Sequence, residues 1–274
     1  MASVADGKVR ADEAPVLTDE QIASYRRDGL VKVDVRRILG EEAFERMREA
    51  FLYAEADEYR AHPGTDPYPA TVLYREIHKS YPALAEFALS PKLGAVAAQL
   101  IGCDHVRLFG DETFTKLPGM PMTIWHQDSS TLPFDKPDFL TLWMAIDDVD
   151  QEMGAMRYVP GSHTIGNVLI TRTANLKAGQ MGEPDDLSAL LADEHKSLAD
   201  KVVSMPLRAG EGMIHHGALM HGAAPNTSDR KRRAYAMTII SADIRYSGKP
   251  HWPTDELGLT VGEPIEHPEV PQFY

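Results

Sequence analysis

The sequence predicts a mainly β scaffold, a barrel or sandwich of antiparallel strands with helices packed outside it and concentrated toward the N-terminus. Three observations carry this. Apolar residues recur at helical spacing as far as Gly102. Beyond Gly102 the period shortens to two, in runs separated by Gly, Pro, Asn or Asp. Strands and helices also fall in blocks, which excludes the alternating βαβ arrangement of a parallel sheet.

The elements follow in order. Residues 1–16 are polar and predict disorder. "LTDEQIASYRRDG" predicts a helix with Thr18 as N-cap, Gln21 closing a capping box and Gly29 as the stop. "EEAFERMREAFLYAEADEY" places Phe44, Met47, Phe51 and the pair Tyr53–Ala54 at helical spacing. "YPALAEFAL" and "SPKLGAVAAQLIG" predict two more helices, the second with Ser90 as N-cap and Pro91 where a missing N–H costs nothing. Strands are expected in "HVRLFGDETFTKL", "MPMTIWHQ", "FLTLWMAIDDVD", "AMRYVPGS", "KVVSMPLRAGEGMIHH" and "RRAYAMTIISADIRY". An acid-rich insertion over 164–200 predicts a short helix and is a candidate lid. The tail over 247–274 reads as an irregular wrap, so that 17–274 is expected to form one domain.

Alternation says which strand face is interior. Leu140, Leu142, Met144 and Ile146 share one face, and Tyr235, Met237 and Ile239 another of the same greasy kind, suited to lying under helices. The opposite faces, Thr141, Trp143 and Ala145 with Ala234, Ala236 and Thr238, are small or amphipathic, as a barrel enclosing a ligand requires.

Composition narrows function. The 274 residues are 43% hydrophobic and 25% charged, enough for a sizeable core. A formal charge of −13 opposes binding to nucleic acid or to an anionic membrane. A single cysteine, Cys103, rules out an intramolecular disulfide and a cysteine-based zinc site. With no apolar leader in "MASVADGKVRADEAP" and no uninterrupted apolar stretch of spanning length, a cytoplasmic monomer or homodimer acting on a small molecule is expected.

The chemistry starts at "TIWHQDSS". In extended chain, residues i and i+2 point the same way, so His126 and Asp128 can converge on one ion while Gln127 points elsewhere. One histidine and one carboxylate are two-thirds of the facial triad of non-haem iron enzymes. For the third ligand the residues leave His163, His215, His216 and His221 open. Beyond His221 the turn "PNTSD" returns the chain, and strand parity turns Arg232 inward, leaving Arg230, Lys231 and Arg233 exposed. A buried guanidinium on an interior face requires an anionic partner, which a dicarboxylate would supply.

Four ordered blocks, "LTDEQIASYRRDGLVKV", "TIWHQD", "LTLWMAIDDVDQEMGAMRYVPGSH" and "HGAAPNTSDRKRRAYAM", resemble the phytanoyl-CoA dioxygenase family of Fe(II)/2-oxoglutarate oxygenases, from about Leu17 to Ile244. The resemblance implies a double-stranded β-helix (jelly-roll, cupin-like) core with N-terminal helices, the jelly roll over about 103–246. It implies His126, Asp128 and His221 as iron ligands, Arg232 on the distal carboxylate of 2-oxoglutarate, and Gln127 and Trp143 beside that cosubstrate. The reaction so implied consumes O2, releases succinate and CO2, and by default hydroxylates a C–H bond. Ring closure, desaturation and stereoinversion start from the same radical. Many relatives carry a serine hydroxyl where this chain has Ala223; Thr115, Thr238 and Tyr235 are the residues considered to replace it. Substrate contacts are expected from Arg75 in "TVLYREIH", from Ser129 and Ser130, and from His216, toward a compact, largely apolar, secondary-metabolic molecule. The rivals are a non-redox metal-dependent cupin isomerase or lyase, which has no need of Arg232, and a non-catalytic binding protein.

Overall fold

The computed structural model describes residues 17–61, 71–168, 186–251 and 254–274. In chain order the elements are α1 (Asp19–Asp28), β1 (Leu30–Asp34), α2 (Val35–Leu39), α3 (Glu41–Ala61), β2 (Val72–Arg75), α4 (Pro82–Ala88), α5 (Pro91–Ile101), β3 (Val106–Lys116), β4 (Thr123–His126), β5 (Phe139–Ala145), β6 (Met156–Tyr158), α6 (Leu187–Leu190), β7 (Val203–Met205), β8 (Glu211–His216), β9 (His221–Ala223) and β10 (Arg232–Ser241).

The strands form two antiparallel sheets, one of six in the order β1-β8-β5-β10-β3-β2 and one of four in the order β4-β9-β6-β7. Helices cover the outer face of the large sheet, and its inner face looks across at the small one. Alternation decides which side chain goes where. Leu140, Leu142, Met144, Tyr235, Met237 and Ile239 join Phe44, Met47, Phe51, Leu84, Phe87, Leu93 and Val96 in the layer under the helices. Trp143, Ala145, Ala234 and Ala236 face inward with Met156, Tyr158, Met213 and Ala223. The greasy and small faces expected from sequence are these two.

The helices start and stop as their local chemistry dictates. Thr18 accepts from the Gln21 amide, the Gln21 side chain accepts from the Thr18 amide, and Gly29 ends α1 at φ 75°. Tyr53 differs from expectation: it is 61% exposed, while Ala54 beside it is buried. Residues 82–101 are long and apolar enough to cross a membrane by length and composition, an alternative to the sequence expectation. They are two helices, however, broken at Leu89–Ser90, and Leu84, Phe87, Leu93, Val96 and Leu100 lie in the core.

Three strands go beyond the sequence reading. β1 and β2, from the helical third, become the two edges of the large sheet, and β9, three residues long, joins the small one. Arg233 is not exposed; it is half-buried between Glu55 and Asp147, each 2.8 Å away. The described end of the insertion carries the expected short helix, α6, with Leu187 and Leu191 packed on Met122, Trp125 and Met220 of the small sheet's outer side. The centre of the insertion, 169–185, lies outside the described residues, as do 1–16.

Candidate metal centre

β4 and β9 pair so that His126 stands opposite His221. Cross-strand partners share a face, and the two rings lie 4.1 Å apart between centroids. Gln127 stays extended, at φ −129° and ψ 123°, before a 3-10 turn over Asp128–Ser130. That returns Asp128 to the side of His126. The ligand atoms of His126, Asp128 and His221 all lie within 4.8 Å of one another, close enough for one ion.

Orientation is fixed by the groups around them. The Nδ1–H of His126 donates to the Ile124 carbonyl (2.8 Å) and that of His221 to the Leu219 carbonyl (2.9 Å). With Nδ1 protonated, each Nε2 keeps its lone pair for the metal. Both Nε2 atoms point at Asp128 Oδ1, at 3.5 and 3.6 Å. The other oxygen, Oδ2, accepts from the Thr141 hydroxyl at 3.1 Å. His215 Nε2 stands 3.4 Å from Oδ2 without the alignment of a hydrogen bond. Thr141 therefore aims the carboxylate, and His215 packs beside it. Sequence reasoning gave them no such task, although parity places Thr141 with Trp143 and His215 with Met213 on inner faces.

Protonation suits a metal. Burial alone would raise the Asp128 carboxyl, but the His221, His215 and His126 rings outweigh it and hold the group well below the ordinary carboxylate range. Burial, then the neighbouring His126, pushes His221 well below the usual imidazole value, so it is neutral and ready to ligate.

Deeper in the barrel lies Arg232, 1% exposed. One guanidinium nitrogen donates to the Gly154 carbonyl at 2.7 Å, its Nε has no partner, and the group lies 5.2 Å from the centre of the Trp143 ring. Among the described residues no carboxylate pairs with it, and burial lowers it to about 10. Tyr158, fully buried and stacked on His221, has a hydroxyl without a partner. Burial raises its pKa, with the Asp128 charge adding to the rise and the Arg232 charge opposing it.

Other expected site residues are differently placed. Gln127 spends its amide on backbone: its Nε2 donates to the Gly166 and Ala218 carbonyls (2.8 and 2.7 Å) and its Oε1 accepts from the Val168 N–H (2.9 Å). It anchors the 166–168 segment on the side away from the ligands. His216 lies on the helix-facing side of β8, near Tyr25 and His163, because it is one residue out of phase with His215. Ser130 donates to its own turn at the Gln127 carbonyl, and Ser129 bonds Asn167 at 2.5 Å. Arg75 pairs with Glu112 at 2.9 Å across the β2–β3 ladder, and burial raises the Glu112 carboxyl against that pairing, with Asp128 adding to the rise.

The comparisons agree with this geometry. A probable alpha-ketoglutarate-dependent hypophosphite dioxygenase of Stutzerimonas stutzeri is 29% identical over 170 residues, which is 61% of this chain and 56% of that protein. A phytanoyl-CoA dioxygenase domain-containing protein 1 homolog of Dictyostelium discoideum is 24% identical, covering 83% of this chain and 92% of its own. The chain thus spans little more than half of the first relative and nearly all of the second. Among solved structures, the non-heme alpha ketoglutarate dependent carbocyclase SnoK from nogalamycin biosynthesis superposes with a TM-score of 0.72 at 27% identity, covering 93% of this chain and 96% of its own. The epimerase SnoN, solved with Fe3+, alpha ketoglutarate and nogalamycin RO, gives 0.70 at 24% identity, covering 93% and 98%, a likeness of fold. The family model described as Phytanoyl-CoA dioxygenase (PhyH) matches residues 25–234, from α1 to the inner face of β10, and the chain belongs to that family.

Proposed function

We propose that this protein is an Fe(II)- and 2-oxoglutarate-dependent oxygenase acting on a small organic molecule. The observation that carries the reading is one barrel holding both a convergent His–Asp–His set and a fully buried guanidinium that pairs with no carboxylate among the described residues. Two imidazole nitrogens and a carboxylate oxygen suit ferrous iron and leave the remaining positions to exogenous ligands. An uncompensated buried charge is costly, and Arg232 offers an anion a planar fork against the Trp143 face. The carbocyclase SnoK and epimerase SnoN support the cofactor assignment, and they keep ring closure and stereoinversion beside hydroxylation as outcomes.

Bound together, iron and 2-oxoglutarate supply the oxidising chemistry, with release of succinate and CO2 while a substrate C–H bond is oxidised. The chain does the rest. His126, Asp128 and His221 hold the metal, with Thr141 aiming the carboxylate. Arg232 fixes the far end of the cosubstrate, and Trp143, Met213, Ala234 and Ala236 keep that end dry. With Asp128 as the third protein ligand beside His126 and His221, hydroxylation is the default outcome. The Arg75–Glu112 pair gives the inner edge of β2 and β3 a polar patch, so the substrate carries at least one polar group beside its apolar body.

The test is purified protein given Fe(II), O2 and 2-oxoglutarate, with succinate measured. Slow succinate formation should need all three and vanish in His221→Ala, while His216→Ala retains it. Loss in His216→Ala alone would overturn the ligand assignment.

A further inference from the structure

A dicarboxylate anchored by one guanidinium leaves lone pairs of its distal carboxylate to be satisfied. Ala223, on β9 beside the Arg232 pocket, has no donor to offer. The three residues considered from sequence do not supply one. The Thr115 hydroxyl lies on the outer face and bonds Glu55, and Tyr235, also outward, donates to Asp111 at 2.6 Å. Thr238 faces inward but stands six residues along β10 from Arg232, roughly 20 Å away.

Strand register points elsewhere. Thr123 on β4 is the cross-strand partner of Ala223, and Lys116 on β3 is the partner of Arg232. Partners share a face, so all four look into the same end of the barrel. The Lys116 amino group ties them together: Nζ donates to the Thr123 hydroxyl at 3.3 Å and lies at 2.8 and 3.1 Å from the carbonyls of Pro121 and Ala224. Lys116 is itself fully buried and, like Arg232, pairs with no carboxylate among the described residues. Gly154, whose carbonyl accepts from Arg232, lies at the same point, since a Cβ there would come 3.3 Å from the Lys116 stem. A hydroxyl that accepts from the Lys116 nitrogen has its own O–H left to donate.

We propose that Thr123, held by Lys116, donates to the distal carboxylate of 2-oxoglutarate and so takes the place of the hydroxyl missing at Ala223. The clamp is thereby built from β3, β4 and β10 rather than from β9 and β10. This rests on the 2-oxoglutarate reading above.

The test is calorimetric titration of the Mn(II)-loaded protein, which needs no turnover. Two ligands are compared: 2-oxoglutarate and pyruvate, a 2-oxo acid without the distal carboxylate. Thr123→Val should weaken 2-oxoglutarate about tenfold to hundredfold, the loss expected for a hydrogen bond to a charged group, and leave pyruvate unchanged. Thr123→Ser should bind as the parent does. Adding Ala223→Ser to Thr123→Val should restore most of the affinity, which a merely structural defect would not allow. Parent-like 2-oxoglutarate binding by Thr123→Val, with Arg232→Ala impaired, would overturn the proposal and spare the function. Equal loss of both ligands would also overturn it, as would a loss found in Tyr158→Phe instead. If Arg232→Ala also binds like the parent, the 2-oxoglutarate reading itself falls.

Discussion

Arg232 and His221 sit eleven positions apart in sequence, yet they do different work, and single substitutions separate them. Arg232→Ala removes a fork that no metal ligand touches. It should therefore weaken 2-oxoglutarate by at least about tenfold to hundredfold, from the 1.5–3 kcal/mol of a charged hydrogen bond, while the affinity for Mn(II) alone stays within twofold or so by the same reasoning. Calorimetry with metal and then cosubstrate distinguishes the two, and equal loss of both would make Arg232 a structural residue. His126 and Asp128 were legible at this scale because their spacing already implies convergence, whereas His221 was one of four candidate histidines that only the family resemblance singled out. The groups around Asp128 were not, since Thr141, which bonds it, and His215, which lies beside it, arrive from β5 and β8 through a register that no local pattern encodes. Gln127 and His216 show the limit of motif matching. Each neighbours a functional residue in sequence and points the opposite way for that reason.

Among the elements, the turn leading into β6 shows how local backbone serves the site. Gly154 adopts φ 78°, and a Cβ there would meet the Ala224 carbonyl at 2.5 Å. Gly154→Ala should cost about 1–3 kcal/mol in urea unfolding, from left-handed strain and displacement of the chain beyond β9. It should also weaken 2-oxoglutarate more than metal, because the Arg232 partner is the Gly154 carbonyl. Unchanged stability would mean that the turn relaxes without cost. Long elements were read correctly from sequence: the capping box of α1, and the alternating faces of β5 and β10, carry their own signals. β1, β2 and β9 were not. β1 and β2 lie among helical segments, β9 is three residues long, and all three pair with strands far along the chain.

For the whole molecule, the barrel buries two basic side chains, Arg232 and Lys116, in a protein whose formal charge is −13. Burial, followed by the Arg232 and Arg157 charges, lowers Lys116 to about 6, from 10.5 in the unfolded chain. Between those values the unfolded chain holds the extra proton, so this group's contribution to stability rises with pH from about 6 to 10.5 and is flat below. A carboxylate arriving beside Lys116 favours its charged form and reverses part of that shift. Stabilisation by 2-oxoglutarate should thus be larger at pH 6.5 than at pH 8.5, by up to about tenfold in affinity per pH unit. Thermal shifts of the Mn(II)-loaded protein check this, and Lys116→Met should abolish the difference. A larger shift at pH 8.5 would contradict it.

The most direct measurement is optical. Under anaerobic conditions, Fe(II) and then 2-oxoglutarate are added to the protein and the visible spectrum is recorded. Chelation of the keto-acid by ferrous iron in this site predicts a metal-to-ligand charge-transfer band that saturates at one equivalent of iron and is absent from His221→Ala. No band from the folded, unmodified protein, or an undiminished band in His221→Ala, would contradict it.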